Sequence, residues 1–141
     1  MKIALGSDHG GFELKQVVLG CLQDLAVEVE SVGCHDCQSV DYPDFAEKVC
    51  ALVKSGACER GILICGTGIG MSIAANRYRE IRAALCHEAF TARMSREHNN
   101  ANVLCLGGRV IGPELACEIV RTWVRTEFSG GRHQRRLDML S

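Results

Sequence analysis

The chain has 141 residues, of which 47% are hydrophobic and 23% charged, with a formal net charge of −1. That length makes one domain able to bury a core, and the composition excludes a disordered chain. The near-neutral charge argues against bulk binding to nucleic acid or to an anionic membrane, so any recognition of anions must be local.

The chain opens on a strand-like run, Lys2-Ile3-Ala4-Leu5-Gly6, where a secretory leader would carry a longer apolar region and a small-residue cleavage site. No apolar run approaches the ~20 residues of a membrane-spanning helix. Phe12, Leu14, Val17, Val18, Cys21, Leu22 and Leu25 then fall near helical spacing. Strand-like runs recur at 27–32, 61–65, 82–86 and 103–107, each separated by enough chain for a helix. Between them, Phe45, Ala46, Val49, Cys50, Leu52 and Val53 predict a second amphipathic helix, and a further one spans Glu88 to about Glu97. Pro113 suits a first helical turn and leads through Leu115, Ile119, Val120 and Trp123. Alternation of this kind predicts a single domain over 1–141, a doubly wound α/β sandwich of about five parallel strands with helices on both faces.

Nine cysteines are an odd number, and several lie inside apolar patterns. This is cytosolic usage, with most of the thiols serving as small core residues. Cys34-x-x-Cys37, with His35 inside it, has metal or redox spacing. It lacks a second Cys or His pair and does not open a helix, so it reads as an incidental loop pair, and no metal site is expected.

Ligands of open α/β sheets bind beyond the carboxyl ends of the strands. Four polar clusters fall there: Asp8-His9 after the first strand, Asp41-Tyr42 in the loop after the second, Cys65 to Gly70 after the third, and Arg109 just after the fifth. The third is the densest in chemistry. Ile62-Leu63-Ile64 reads as a buried strand, Gly66, Gly68 and Gly70 let the backbone bend closely around a ligand, and Met71 to Ala75 reads as the first turns of a helix. Free amides at such a turn bind negative charge and bias Cys65 toward thiolate.

Two familiar uses of such a loop fail on Met71. A dinucleotide fingerprint needs its third glycine there, and normally follows the first strand of the sheet. A cysteine phosphatase closes its loop with an arginine at that position, the bidentate partner of the transferring phosphate. Cys65 is therefore better suited to moving a proton than to attacking phosphorus. His98 ends a helix in the Asn-rich segment Ser95-Arg96-Glu97-His98-Asn99-Asn100, and can both donate and accept protons near neutrality. Arg132 and Arg136 share a face if the C-terminal segment is helical, where two guanidinium forks can hold one phosphate.

Five blocks together, Gly6-Ser7-Asp8-His9-Gly10-Gly11, Asp41-Tyr42-Pro43, Gly61 to Gly70, Ser95-Arg96-Glu97-His98-Asn99, and Gly130-Gly131-Arg132-His133-Gln134-x-Arg136, resemble ribose-5-phosphate isomerase type B. The resemblance runs in order from residue 1 to about residue 138. The superfamily also includes allose-6-phosphate and galactose-6-phosphate isomerases. The resemblance implies a Rossmann-like three-layer sandwich, without cofactor or metal, interconverting ribose 5-phosphate and ribulose 5-phosphate in the cytoplasm through an enediolate. It implies a homo-oligomer, dimer or tetramer, with the pocket between subunits, a small-molecule sugar phosphate as partner, and neither nucleic acid nor membrane.

By the same resemblance, His98 assists ring opening, Cys65 is the base and Thr67 supports proton handling. The amides of Gly66, Gly68, Ile69 and Gly70 cradle the intermediate. Asp8, Tyr42 and Asn99 contact sugar hydroxyls, and His9, Arg109, Arg132 and Arg136 take the phosphate end. One branch of the family uses a downstream glutamate instead of the cysteine; after Cys65 this chain has no carboxylate before Glu80. A silent sugar-phosphate or nucleotide-binding module is the competing class, and it has no use for a reactive thiol.

Overall fold

The computed structural model describes residues 1–33 and 40–140, so the Cys34, His35 and Cys37 reading lies outside the described residues. Five strands form one sheet: β1 (Lys2–Ser7), β2 (Glu28–Gly33), β3 (Arg60–Cys65), β4 (Ala83–Leu85) and β5 (Val103–Gly107). Their order is β2-β1-β3-β5-β4, and every adjacent pair is parallel. Helices α1 (Phe12–Asp24), α2 (Tyr42–Lys54), α3 (Ile69–Ala75), α4 (Ala89–Glu97) and α5 (Pro113–Arg125) follow the strands in turn, and α6 (Arg132–Asp138) ends the fold.

Successive side chains of a strand face opposite sides of the sheet, so each central strand feeds two cores. Leu5, Ile62, Ile64, Leu104 and Leu106 pack with Val18 and Leu22 of α1 and with Ile119 and Trp123 of α5. Ala4, Leu63 and Cys105 pack on the other side with Val49 of α2 and Met71 of α3. Every residue of β3 and β5 is buried, which is why both read as unbroken apolar runs. Burying each large aliphatic side chain stabilises the fold by roughly 1.5–3 kcal/mol. The result is the doubly wound, Rossmann-like sandwich.

Three local expectations differ. Tyr42 is not a loop residue but the first residue of α2, because Pro43 is pre-organised for a first turn and the helix starts earlier than its apolar stripe. β4 covers only Ala83–Leu85, although the Cys86 amide still donates to the Cys105 carbonyl at 3.2 Å. Cys21 of α1 and Cys117 of α5 are joined as a disulfide rather than left as thiols, their Cα atoms 5.8 Å apart, within the range that bond requires.

The strand order reverses between β1 and β3: the chain leaves β1 outward to β2, then returns past it to β3. That opens a crevice at their carboxyl ends. The opposite, amino edge is equally defined. The amide of Gly61, at the start of β3, donates to the carbonyl of Asn102 at 2.9 Å, and Arg60 donates to the carbonyl of Trp123 at 3.0 Å. The last turns of α4 and α5 therefore lie at the amino edge.

Candidate functional site

The crevice is built from three loops in close contact. The Asp8 amide donates to the Ile64 carbonyl at 3.2 Å, the Gly108 amide to the Cys65 carbonyl at 2.8 Å, and the Arg109 amide to the Gly66 carbonyl at 2.9 Å. A Cβ on Gly108 would lie 2.7 Å from the Gly10 carbonyl oxygen, so only glycine allows this approach. Asp8 is buried and accepts from the Gly11 amide at 3.0 Å through Oδ1, fixing its carboxylate over a single 3-10 turn, His9–Gly11. His9 accepts at Nδ1 from the Val40 amide at 3.2 Å, so its neutral ring carries the proton on Nε2. His9 and Arg109 line one cleft of about 230 Å³ together with Gly10, Glu13, Leu14 and Gly108.

Cys65 ends β3, 5% exposed, and its Sγ accepts from the Gly68 amide at 3.1 Å. Gly68 makes this possible by taking φ +79° just before α3. Thr67 Oγ1 accepts from the Ile69 amide at 3.2 Å. Two of the amides expected to cradle a ligand are thus already engaged, by the thiol and by the hydroxyl. The Arg109 guanidinium covers Gly66, where a Cβ would lie 3.1 Å from Nη1, and the Tyr42 ring covers Gly70, where a Cβ would lie 2.7 Å from Cζ. Ile69 itself is half exposed. Burial pushes the thiols of Cys50, Cys58, Cys86 and Cys105 up, Cys50 to about 11, so each is held as a neutral core residue.

Four of the expected site residues are elsewhere. His98 caps the carboxyl end of α4, with Asn99 exposed beside it, and the two share a cleft of about 480 Å³ with Arg132, His133 and Arg136. This cluster lies at the amino edge of the sheet. From Gly61 to Cys65 is four strand steps of about 3.3 Å, so the two edges are on the order of 13 Å apart along β3. Asp8, His9, Tyr42, Cys65, Thr67, the glycine loop and Arg109 are brought together; His98, Asn99, Arg132 and Arg136 form a second group.

Two residues of that second group were not anticipated. His133 stacks on His98, ring centroids 4.2 Å apart and planes inclined by 13°. Arg96 is buried and ties the pieces together: Nη1 donates to Asn100 Oδ1 at 3.0 Å and to the Ala101 carbonyl at 2.6 Å, and Nε donates to the Thr126 carbonyl at 3.2 Å. The Ser129 amide adds a bond to the Glu97 carbonyl at 3.0 Å, so the segment leading into α6 is pinned to the end of α4. Arg96 and Arg60 both lie over the Trp123 ring, 6.0 and 5.4 Å from its centroid. The Arg132-His133 dipeptide was the available signal for the first, and the place of Arg96 two residues before His98 for the second.

The family model described as Ribose/Galactose Isomerase matches residues 3–140. The chain is similar to ribose-5-phosphate isomerase B of Escherichia coli, 46% identical, with 99% of this chain and 94% of that one covered. It is also similar to D-erythrulose-4-phosphate isomerase of Pectobacterium atrosepticum, 44% identical over 93% of this chain and 87% of that one. The solved structure of ribose-5-phosphate isomerase B from Clostridium thermocellum superposes with a TM-score of 0.97, at 56% identity, covering 99% of this chain and 95% of that one. With the fold, the thiol loop and these likenesses in agreement, the chain belongs to the ribose/galactose isomerase family.

Proposed function

We propose that this protein is a ribose-5-phosphate isomerase that interconverts ribose 5-phosphate and ribulose 5-phosphate, using Cys65 as base. The observation that carries the reading is Cys65 itself: its sulfur accepts an amide hydrogen from a glycine loop, in a crevice that also holds the Asp8 carboxylate. The names borne by its relatives support the substrate class.

In the proposed mechanism the furanose opens with help from His98, which gives its proton to the ring oxygen. The Cys65 thiolate then takes the proton from C2, and the C2–H electron pair moves to form the C1–C2 double bond of an enediolate. Returning the proton to C1, while the C2 hydroxyl proton passes to O1 and the C2–O bond becomes the carbonyl, yields the ketose. Thr67 keeps a hydroxyl hydrogen for the substrate oxygens, because its own oxygen serves as the acceptor for the Ile69 amide. The free loop amides stabilise the developing oxyanion, and one such donor in a dry site is worth ~3 kcal/mol. Asp8, Tyr42 and Asn99 hold hydroxyls, and His9, Arg109, Arg132 and Arg136 hold the phosphate. Each step moves only a proton between side chains and substrate, so the mechanism requires neither metal nor organic cofactor.

The protein acts, on this reading, as a cytoplasmic homodimer or homotetramer. The position of His98 at the far edge from Cys65 supports a site in which one subunit supplies the thiol loop and its neighbour supplies His98, Asn99, Arg132 and Arg136. The test is the rate of ribulose 5-phosphate formation in EDTA for wild type and Cys65→Ala, with D-erythrulose 4-phosphate and allose 6-phosphate alongside. Wild type should turn over ribose 5-phosphate and the variant should lose ~10²–10⁴-fold. Turnover confined to another sugar phosphate would overturn the substrate; an active Cys65→Ala protein would overturn the base; and absence of both turnover and solvent exchange at C2 would leave a binding module.

A further inference from the structure

His98, at the carboxyl end of α4, and His133, in the first turn of α6, lie face to face with ring centroids 4.2 Å apart. Both rings are half-buried and line one cleft with Arg132 and Arg136. Two imidazolium ions stacked in this way repel, whereas one imidazolium and one neutral ring do not. The charged groups facing His133 are Glu97 and His98 from α4 and Arg132 and Arg136 from α6. Burial first, and then the charges of His98, Arg132 and Arg136, hold the His133 imidazole below its ordinary value of 6.5, with Glu97 opposing them.

We propose that the stacked pair is loaded with a proton by anion binding: a dianionic oxyanion held by Arg132 and Arg136 cancels their field on the rings, and His133 and His98 together then take up a proton from solvent. The use of that proton rests on the functional reading above. The phosphate of an arriving sugar phosphate charges the pair. As the furanose opens, the bond between C1 and the ring oxygen breaks, the imidazolium proton goes to that oxygen, and the anomeric hydroxyl releases its proton to solvent as the C1 carbonyl forms. An empty site keeps His133 neutral, so the added proton is present only where there is a substrate to use it. His133 acts through His98 and is a positioning residue.

Sulfate is the suitable probe, because it remains a dianion where phosphate itself titrates. Proton uptake on sulfate binding is read on the full-length protein near pH 7, from the binding enthalpy in buffers of different ionisation heat at constant ionic strength. The ring resonances of His133 and His98 are titrated in parallel by NMR from about pH 5 to about pH 8. Wild type should take up a proton fraction on binding, and the His133 midpoint should rise by about half a unit or more. His133→Phe, which keeps an aromatic face on His98, should bind sulfate with that uptake lost, and the Arg132→Gln/Arg136→Gln protein should show no midpoint shift. No uptake in wild type, undiminished uptake in His133→Phe, or an unchanged shift without the two arginines would overturn the proposal. Loss of the functional reading looks different: His98→Asn would keep full turnover of ribose 5-phosphate while sulfate still loaded the wild-type pair.

Discussion

Cys65 and His98 stand at opposite edges of one parallel sheet, Cys65 closing β3 at its carboxyl end and His98 closing α4 beside the amino end of the same strand. A strand of this length cannot be bridged by one pentose, so the two residues can serve one substrate only if they belong to different subunits.

Subunit mixing tests that division. Cys65→Ala and His98→Asn proteins should each be inactive alone. Unfolded together and refolded, they should recover about a quarter of wild-type turnover, because random assortment makes half of the dimers mixed and each mixed dimer holds one intact site of two. If both residues served within one subunit, every site would keep a defect and the mixture would stay dead. Steady-state rates against mixing ratio decide it.

Gly68 joins stability to the site. Its φ of +79° and the 2.9 Å that a Cβ would leave to the Leu106 carbonyl carbon exclude a side chain. Gly68→Ala should lower stability by about 2 kcal/mol or more, from the left-handed backbone and the clash. It should also lower kcat, since the displaced amide is the one donated to Cys65. Urea unfolding and kcat, measured on the same preparation, check both effects.

Arg96 should matter to turnover as well as to folding. Removing its guanidinium in Arg96→Met breaks three hydrogen bonds from one charged group, each worth about 1.5–3 kcal/mol at most when fully formed. The thermal midpoint should fall. At a temperature where the variant remains folded, KM for ribose 5-phosphate should rise more than kcat falls, because the segment carrying Arg132 and Arg136 loses its tie to α4. Arg96→Lys, which keeps the charge without the fork, should recover part of the stability and little of KM.

Ser7 offers a gain. Its hydroxyl is fully buried at the end of β1 and has no hydrogen-bond partner among the described residues. Ser7→Ala should raise unfolding free energy by about 1 kcal/mol, the desolvation cost of an unpaired hydroxyl, with turnover unchanged. A drop in the urea midpoint would mean that the hydroxyl has a partner in solution.

Much of this protein is legible in its residues. Unbroken apolar runs at 61–65 and 103–107 mark strands buried on both faces, and the alternation of strand and helix patterns implies a parallel sheet with its ligand edge at the carboxyl ends. Cys65, its glycine loop, Asp8, His9 and Arg109 are all readable as one cluster because each directly follows a strand. Tyr42 is harder to read, because Pro43 is its only local helix signal; its ring nevertheless covers Gly70 in the same cluster.

Local periodicity and the place where each strand stops are thus enough to define the sheet, its direction and the contents of its carboxyl edge. Packing of whole elements sets the stack of His98 on His133, the tie from Arg96 in α4 to the segment before α6, and the engagement of two loop amides by Cys65 and Thr67. His98 and His133 are joined by no local pattern: their contact exists because α5 carries the chain back to the amino edge, where Arg96 and the Ser129 amide dock the final segment against the end of α4. Periodicity reports which face of an element is buried, whereas a partner distant in the chain is chosen by how whole elements pack.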